Sequence, residues 1–349
     1  MPRPADGKTS AYVSGISSYI LPHCIIMKKI CLLILFLMLF TAGCSKSDPA
    51  PLSEVEEAVE EDTIDEAEEP EIEEELEEEP EEEDEPEEDE VEEPVEEEVP
   101  DTTKGMVLET SKIDGSTLDN TAFGWGFGGP RDEANRPTPA LNAQEKYGKL
   151  GADFIIPTEE KVIYLTFDEG YENGYTAQIL DTLKEKDVKA VFFITKPYAE
   201  SNGDLVRRMI DEGHVVGNHS VHHPSDGLPA HDIDYQTHEV MDLHDYVKEN
   251  FDYDMCLFRY PAGMFSEQSL AVVQNCGYRS VFWSFAHSDW DPDNQPDPAA
   301  SLTKLMDNLH PGAIYLLHAV SATNTQILGS FIDEAKNAGY TFGYYTDTL

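Results

Sequence analysis

Basic residues are scarce in this sequence. Lys and Arg number 23 against 71 Asp and Glu in 349 residues, a formal charge of −48. Residues 51–100 hold 31 of the acids and no Lys or Arg, and residues 101–349 still carry 38 acids against 18 bases. A chain so short of cations cannot neutralise a phosphate backbone, which excludes nucleic acid as a partner. Cysteine is also sparse: of Cys24, Cys31, Cys44, Cys256 and Cys276, only the last two lie beyond the acidic run. There is no C-x-x-C metal knuckle and no disulfide framework. Cys256 and Cys276 read as free thiols, with a single bridge as the alternative in an exported chain. No apolar run approaches the ~18 residues of a membrane-spanning helix, and no 20–50-residue repeat is evident.

What is present begins with an address. Lys28 and Lys29 precede an apolar run at 30–40, followed by Thr41-Ala42-Gly43-Cys44. A basic segment, a short apolar segment and small residues make a secretory signal over 1–43, for which Met27 is the better start. Cys44 directly after Ala42-Gly43 resembles a bacterial lipoprotein signal, which implies lipidation at Cys44 and attachment to the membrane. An ordinary signal peptide cut nearby is the alternative. Residues 44–103 form a Glu/Pro-rich linker in which repulsion and low hydrophobicity prevent a core, so a disordered, extended spacer is expected. Residues 104–159 are expected to be an extension packed on a catalytic domain at 160–349. Their patch Gly124-Trp125-Gly126-Phe127-Gly128-Gly129 reads as a packing loop rather than a phosphate cradle.

From residue 161 onward, β-rich runs alternate with helix-compatible stretches. Strands are expected at 162–167, 190–195, 214–218, 255–259, 280–285, 313–318 and 340–345. Helices are expected at about 173–187, 203–213, 231–250, 266–276, 299–309 and 324–339. The unbroken apolar Val191-Phe192-Phe193-Ile194 suits a strand covered on both faces. Strands and helices in this alternation predict an α/β barrel or a doubly wound sheet.

The polar residues fall at one edge. Asp168 and Glu169 follow the first strand, His219 and His223 the third; Arg259 ends the fourth, Asp289 lies past the fifth and His318 ends the sixth. All are at carboxyl ends, where barrels and parallel sheets build their sites, so an enzyme is the favoured reading. Singly, each has a plainer role. Asp168-Glu169 would cap a helix, Arg259 would pair at the surface and His318 would sit in the core. Together they suit metal-assisted hydrolysis. His219 and His223, at i and i+4, would present two imidazoles one helical turn apart, with His222 pointing elsewhere. One carboxylate of Asp168-Glu169 would ligate while the other acts as base.

Thr166-Phe167-Asp168-Glu169-Gly170, His219-Ser220-Val221-His222-His223, Arg259-Tyr260-Pro261-Ala262-Gly263, Asp289-Trp290 and Leu316-Leu317-His318 occur in that order. They resemble the five motifs of the polysaccharide deacetylase (NodB-homology) superfamily. The stretches Asp168-Glu169-Gly170-Tyr171-Glu172-Asn173-Gly174-Tyr175-Thr176, Gly124-Trp125-Gly126-Phe127 and His310-Pro311-Gly312-Ala313-Ile314-Tyr315-Leu316-Leu317-His318 resemble its delta-lactam-biosynthetic branch. Those muramic-acid de-N-acetylases act on peptidoglycan during spore-cortex maturation. The resemblance implies a distorted (β/α) barrel of about seven parallel strands and hydrolytic removal of an N-acetyl group from muramic acid.

It further implies Asp168 as general base, His318 as general acid, Arg259 orienting Asp168 and Asp289 tuning the charged network. Glu169, His219 and His223 would hold a divalent metal, zinc being favoured; nitrogen donors suit Zn²⁺, Co²⁺ or Ni²⁺ better than Mg²⁺. Trp290, Tyr260 and Ala262 would contact substrate, with a backbone N–H near Ala262 facing the oxyanion. Peptidoglycan strands are the implied partner, reached from a lipid anchor facing the cell wall. Three positions depart from the family pattern. Glu169 and Ala286 each stand where Asp is usual. Ala262 stands where an aromatic is common, which would open the groove to a 3-O-lactyl arm. The alternatives are the same hydrolysis on N-acetylglucosamine or another acetylated polymer, and an inactive glycan-binding module.

Overall fold

A computed structural model of the chain describes residues 102–126 and 128–349. The expected signal, Cys44 and the acidic run at 51–100 lie outside the described residues. Within them, the apolar runs become strands covered on both faces; β3 below is buried at every position but its first. In chain order the strands are β1 (Phe123–Gly124), β2 (Ala152–Asp153), β3 (Val162–Glu169), β4 (Ala190–Ile194), β5 (Val215–Asn218), β6 (Leu257–Phe258), β7 (Met264–Phe265), β8 (Arg279–Val281), β9 (Phe285–Ala286), β10 (Ala313–His318) and β11 (Thr341–Phe342). The main sheet is parallel throughout and runs β2-β8-β6-β5-β4-β3-β10-β9, with β11 pairing the start of β3; β1 and β7 form a separate antiparallel pair. The order turns at β3, whose neighbours are β4 on one side and β10 on the other. Such a turning point is where open parallel sheets leave a crevice.

The expected strand at 280–285 is two strands, β8 and β9, near opposite ends of the sheet order. Within the short link between them, the Phe282 N–H bonds the Asp153 carbonyl, while the Ser284 N–H bonds the carbonyl of Ile314. The chain changes partners there, which breaks the strand and draws the two ends of the sheet together. The result is a curled, incompletely closed barrel rather than a flat sheet.

The six expected helices form within a few residues of their expected bounds. Ile233–Phe251 starts on Asp232, whose carboxylate accepts the Tyr235 N–H, and Ala322–Asn337 starts on Ser321, which accepts the Asn324 N–H. Thr138–Tyr147 and Lys196–Ser201 are additional helices. No described helix is long and apolar enough to cross a membrane.

The segment before residue 160 enters the main fold directly. It supplies β2 to the sheet, and Phe154 stacks on Phe282 with ring centroids 4.3 Å apart. The glycine-rich loop lies against this cluster: the Trp125 indole N–H bonds the Trp283 carbonyl and its ring meets Phe154 edge-on. Gly217 in β5 is required by close approach, since a Cβ there would come within 2.5 Å of the Phe193 ring. Cys256 and Cys276 are both free thiols.

Candidate active site

Side chains alternate across a strand, so the adjacent carboxylates ending β3 turn to opposite faces. Asp168 lines a cavity of ≈ 500 Å³ together with Gly170, Tyr171, His219, His223 and His318, whereas Glu169 does not reach it. Arg259, wholly buried at the end of β6, donates from Nη1 to Asp168 Oδ1 at 3.2 Å and from Nη2 to the Thr166 hydroxyl at 2.9 Å. Its Nε donates to the Val281 carbonyl at 2.6 Å, and the guanidinium lies 4.4 Å from the Phe193 ring centroid. The expected pairing of Arg259 with Asp168 is therefore made, by a cation with little freedom to turn.

The histidine segment is not helical. It is a tight turn in which Ser220 and His223 take left-handed φ angles of 72° and 50°. Four hydrogen bonds hold it. The Ser220 N–H donates to Asn218 Oδ1, the His223 N–H to the Ser220 hydroxyl, and buried Glu239 accepts the Val221 and His222 N–H groups. The turn still brings His219 and His223 together, with ring centroids 4.8 Å apart. His219 Nδ1 lies 2.9 Å from the Arg259 carbonyl, an obligate acceptor, so Nδ1 carries the proton and Nε2 is left bare, 3.5 Å from Asp168 Oδ2. Burial pushes the His219 pKa down to about 4, against the pull of Asp168, which keeps the ring neutral. His222 turns out to solvent, its Nδ1 2.6 Å from Glu239 Oε1.

Glu169 requires a correction as a metal ligand. It is buried, and its carboxyl oxygens take the Thr176 hydroxyl at 3.3 and 3.4 Å on the far face of β3. Burial, and then the charge of Glu172, raise its pKa well above the usual carboxylate range. Glu169, His219 and His223 therefore do not converge. Among the described residues no group of three or more His, Cys, Asp or Glu side chains is placed to hold a metal ion. The arrangement does not fit the ligand set that the family resemblance implies.

Opposite Asp168, the register of β10 on β3 makes His318 its direct Cα partner. His318 Nδ1 donates to Asp289 Oδ1 at 2.7 Å and its backbone N–H donates to Oδ2 at 3.0 Å. Burial disfavours the charged ring, but the bond to Asp289 and the carboxylate charge raise the His318 pKa above its ordinary value. Asp289 is likewise opposed by burial, yet His318 holds its pKa below the usual range. Ala286 in β9 supplies no polar group, and Asp289 makes the bonds to His318 three residues later.

Trp290 is 55 % exposed and meets the His318 ring edge-on at the cavity mouth. Ala262, left-handed at φ 50°, lines the same wall, and buried Tyr260 reaches it from the aromatic cluster, stacked on Phe282. Three residues were not singled out by sequence reasoning: Glu239, His287 and Asn324, the last donating to Asp289 Oδ2. Glu239 lies 17 residues from the His222 it holds, and the His287–Asn324 and Asn324–Asp289 bonds span 37 and 35 residues, so no motif spacing marks them. Tyr171 and Trp283, also unassigned beforehand, line the cavity.

A family model described as polysaccharide deacetylase matches residues 156–281. The chain is 38% identical over 250 residues to the Bacillus subtilis peptidoglycan-N-acetylmuramic acid deacetylase PdaA, covering 70% of this chain and 92% of that protein. The solved structure of B. subtilis PdaA, a family 4 carbohydrate esterase, superposes with a TM-score of 0.62 over 66% of this chain and 98% of that one. A family 4 carbohydrate esterase from Bacillus anthracis gives 0.55 at 37% identity, with the same coverage of each chain. A peptidoglycan-N-acetylglucosamine deacetylase of Bacillus cereus is 31% identical over 198 residues, 56% of this chain and 91% of that protein. With the ordered rim residues and the curled parallel sheet already in place, these likenesses identify the chain as a member of the polysaccharide deacetylase family.

Proposed function

We propose that the protein hydrolyses the N-acetyl group of N-acetylmuramic acid in peptidoglycan strands. The observation that carries this reading is the pair standing side by side on adjacent strands at one cavity: Asp168 held by Arg259, and His318 held by Asp289. The likeness to the B. subtilis muramic-acid deacetylase supports the choice of sugar. Asp168 takes a proton from water as its oxygen attacks the acetyl carbonyl, and the resulting oxyanion is met by the backbone N–H at Ala262. His318, protonated on Nε2, gives its proton to the amide nitrogen as the C–N bond breaks. Acetic acid and a free amine leave, and the proton taken by Asp168 passes through solvent to His318, which returns the site to its starting state.

Trp290 and Tyr260 form walls of the sugar site, and the small side chain of Ala262 leaves room for the lactyl arm. His219 Nε2 and His223 are the nitrogen donors a zinc ion would favour. The sequence around Lys28, Lys29 and Cys44 supports export and lipid anchoring, which would set the domain against the cell wall of a maturing spore.

The test is mass spectrometry of glycan strands, with and without stem peptides, treated with the protein before and after chelation. Loss of acetyl from muramic acid on peptide-free strands is expected. Loss from glucosamine alone would move the substrate and keep the chemistry. No loss from any strand would leave only a glycan-binding module.

A further inference from the structure

The support of the general acid does not end at Asp289. Asn324 is almost wholly buried in the first turn of the helix Ala322–Asn337, with its backbone N–H fixed by the Ser321 hydroxyl at 3.1 Å. Asp289 can only accept, so the amide face turned to it is Nδ2, which donates to Asp289 Oδ2 and lies 3.2 Å from the His318 carbonyl. Oδ1 of Asn324 is then an acceptor, and His287 Nε2 stands 3.1 Å from it. His287 is 4 % exposed; burial lowers its pKa, so it is a neutral ring carrying its proton on Nε2. The donors and acceptors therefore run in one direction, from His287 to Asn324 to Asp289, and His318 lies on the other Asp289 oxygen. The charged and titratable groups around His318 are Asp289, Asp168 and Arg259, and His287 Nε2 also lies 3.4 Å from Asp289 Oδ2. A buried amide and imidazole are costly unless fully paired, and here each fills the bond the next one needs.

We propose that Asn324 and His287 are positioning residues for proton delivery. His287 fixes the rotation of the Asn324 amide, and Asn324 occupies Asp289 Oδ2. Oδ1 is thereby left to hold His318 Nδ1, with Nε2 aimed at the departing nitrogen. The inference rests on the hydrolytic reading above.

Asn324→Leu keeps the volume and removes both bonds. The expected result is a fall in kcat of about ten- to hundredfold, the size typical of a support one bond behind a reacting group, with KM changed by less than about twofold. The Nδ1 proton resonance of His318, identified by its loss in His318→Gln, is expected to shift or vanish. His287→Leu should act in the same direction, and His287→Gln, whose amide can donate to Asn324 Oδ1, should recover most of the rate. Unchanged kcat and an unchanged resonance in Asn324→Leu would overturn the proposal. If that variant does not fold, equal kcat and equal resonance for His287→Leu and His287→Gln overturn it instead. The resonance needs no substrate, so wild-type inactivity on every strand defeats the functional reading while the proton signal still decides the positioning role.

Discussion

Two carboxylates at this rim have opposite surroundings and opposite consequences. Asp289 is held ionised by His318, and His318 in turn is raised by Asp289. Asp289→Asn should lower kcat by about 10²–10⁴-fold. Its alkaline limb should move to lower pH, because the group that keeps His318 protonated is gone; a pH–kcat profile reads this directly. For stability the sign is the same. A histidine raised on folding contributes fully below its unfolded pKa, and that contribution is lost as pH rises through the folded value. Because the lowered Asp289 pKa removes the pair again in strong acid, Asp289→Asn should be most destabilising between the ordinary carboxylate range and the ordinary histidine pKa, and least above the raised His318 pKa. Glu169 is raised by burial, so its folded form is neutral where an unfolded Glu is charged. Stability is penalised progressively as pH rises above the ordinary carboxylate range toward that raised value. Glu169→Gln should remove the penalty, flattening melting temperature against pH, and leave kcat within about threefold. A ligating carboxylate would instead lose activity and metal content together.

Among the elements, the turn at 219–223 depends on the helix that follows it in the chain. Glu239, on Ile233–Phe251, accepts two of its backbone N–H groups and so supports two residues in left-handed geometry. Glu239→Ala should cost about 2–3 kcal/mol in urea unfolding and reduce kcat by displacing His223. His222→Ala, which removes an exposed ring, should cost less than about 0.5 kcal/mol. A spacing of four suits a helix and this turn equally well. Neither Ser220 nor His223 is a glycine that would have announced φ > 0. The helix bounds, by contrast, were legible because Asp232 and Ser321 cap locally.

At the scale of the molecule, Asp153 acts as a latch. Lying in β2, it takes Arg279 of β8 and the Tyr345 hydroxyl from near the chain end. Asp153→Ala should lower stability by about 3 kcal/mol and leave kcat of the folded fraction unchanged, which thermal melting and kinetics at a permissive temperature would separate. The latch shows why a boundary at residue 160 cuts through the folded unit: the segment before it supplies a strand, an aromatic ring and a buried acid to the same barrel.

The strand and helix alternation, the strand ends carrying Asp168, His219, Arg259 and His318, and the ordered motifs of the family are all legible in the order of residues. These are local facts of period, cap and spacing. Which of two neighbouring carboxylates faces the cavity follows from the fold, because strand alternation names two faces but not the one the sheet curls around. The fold alone split 280–285 between two ends of the sheet, since the choice of pairing partner belongs to distant strands. It also brought Glu239, His287 and Asn324 to the site. The bonds that place them, His287 to Asn324 and Asn324 to Asp289, span 37 and 35 residues and form only once the barrel has set the distances.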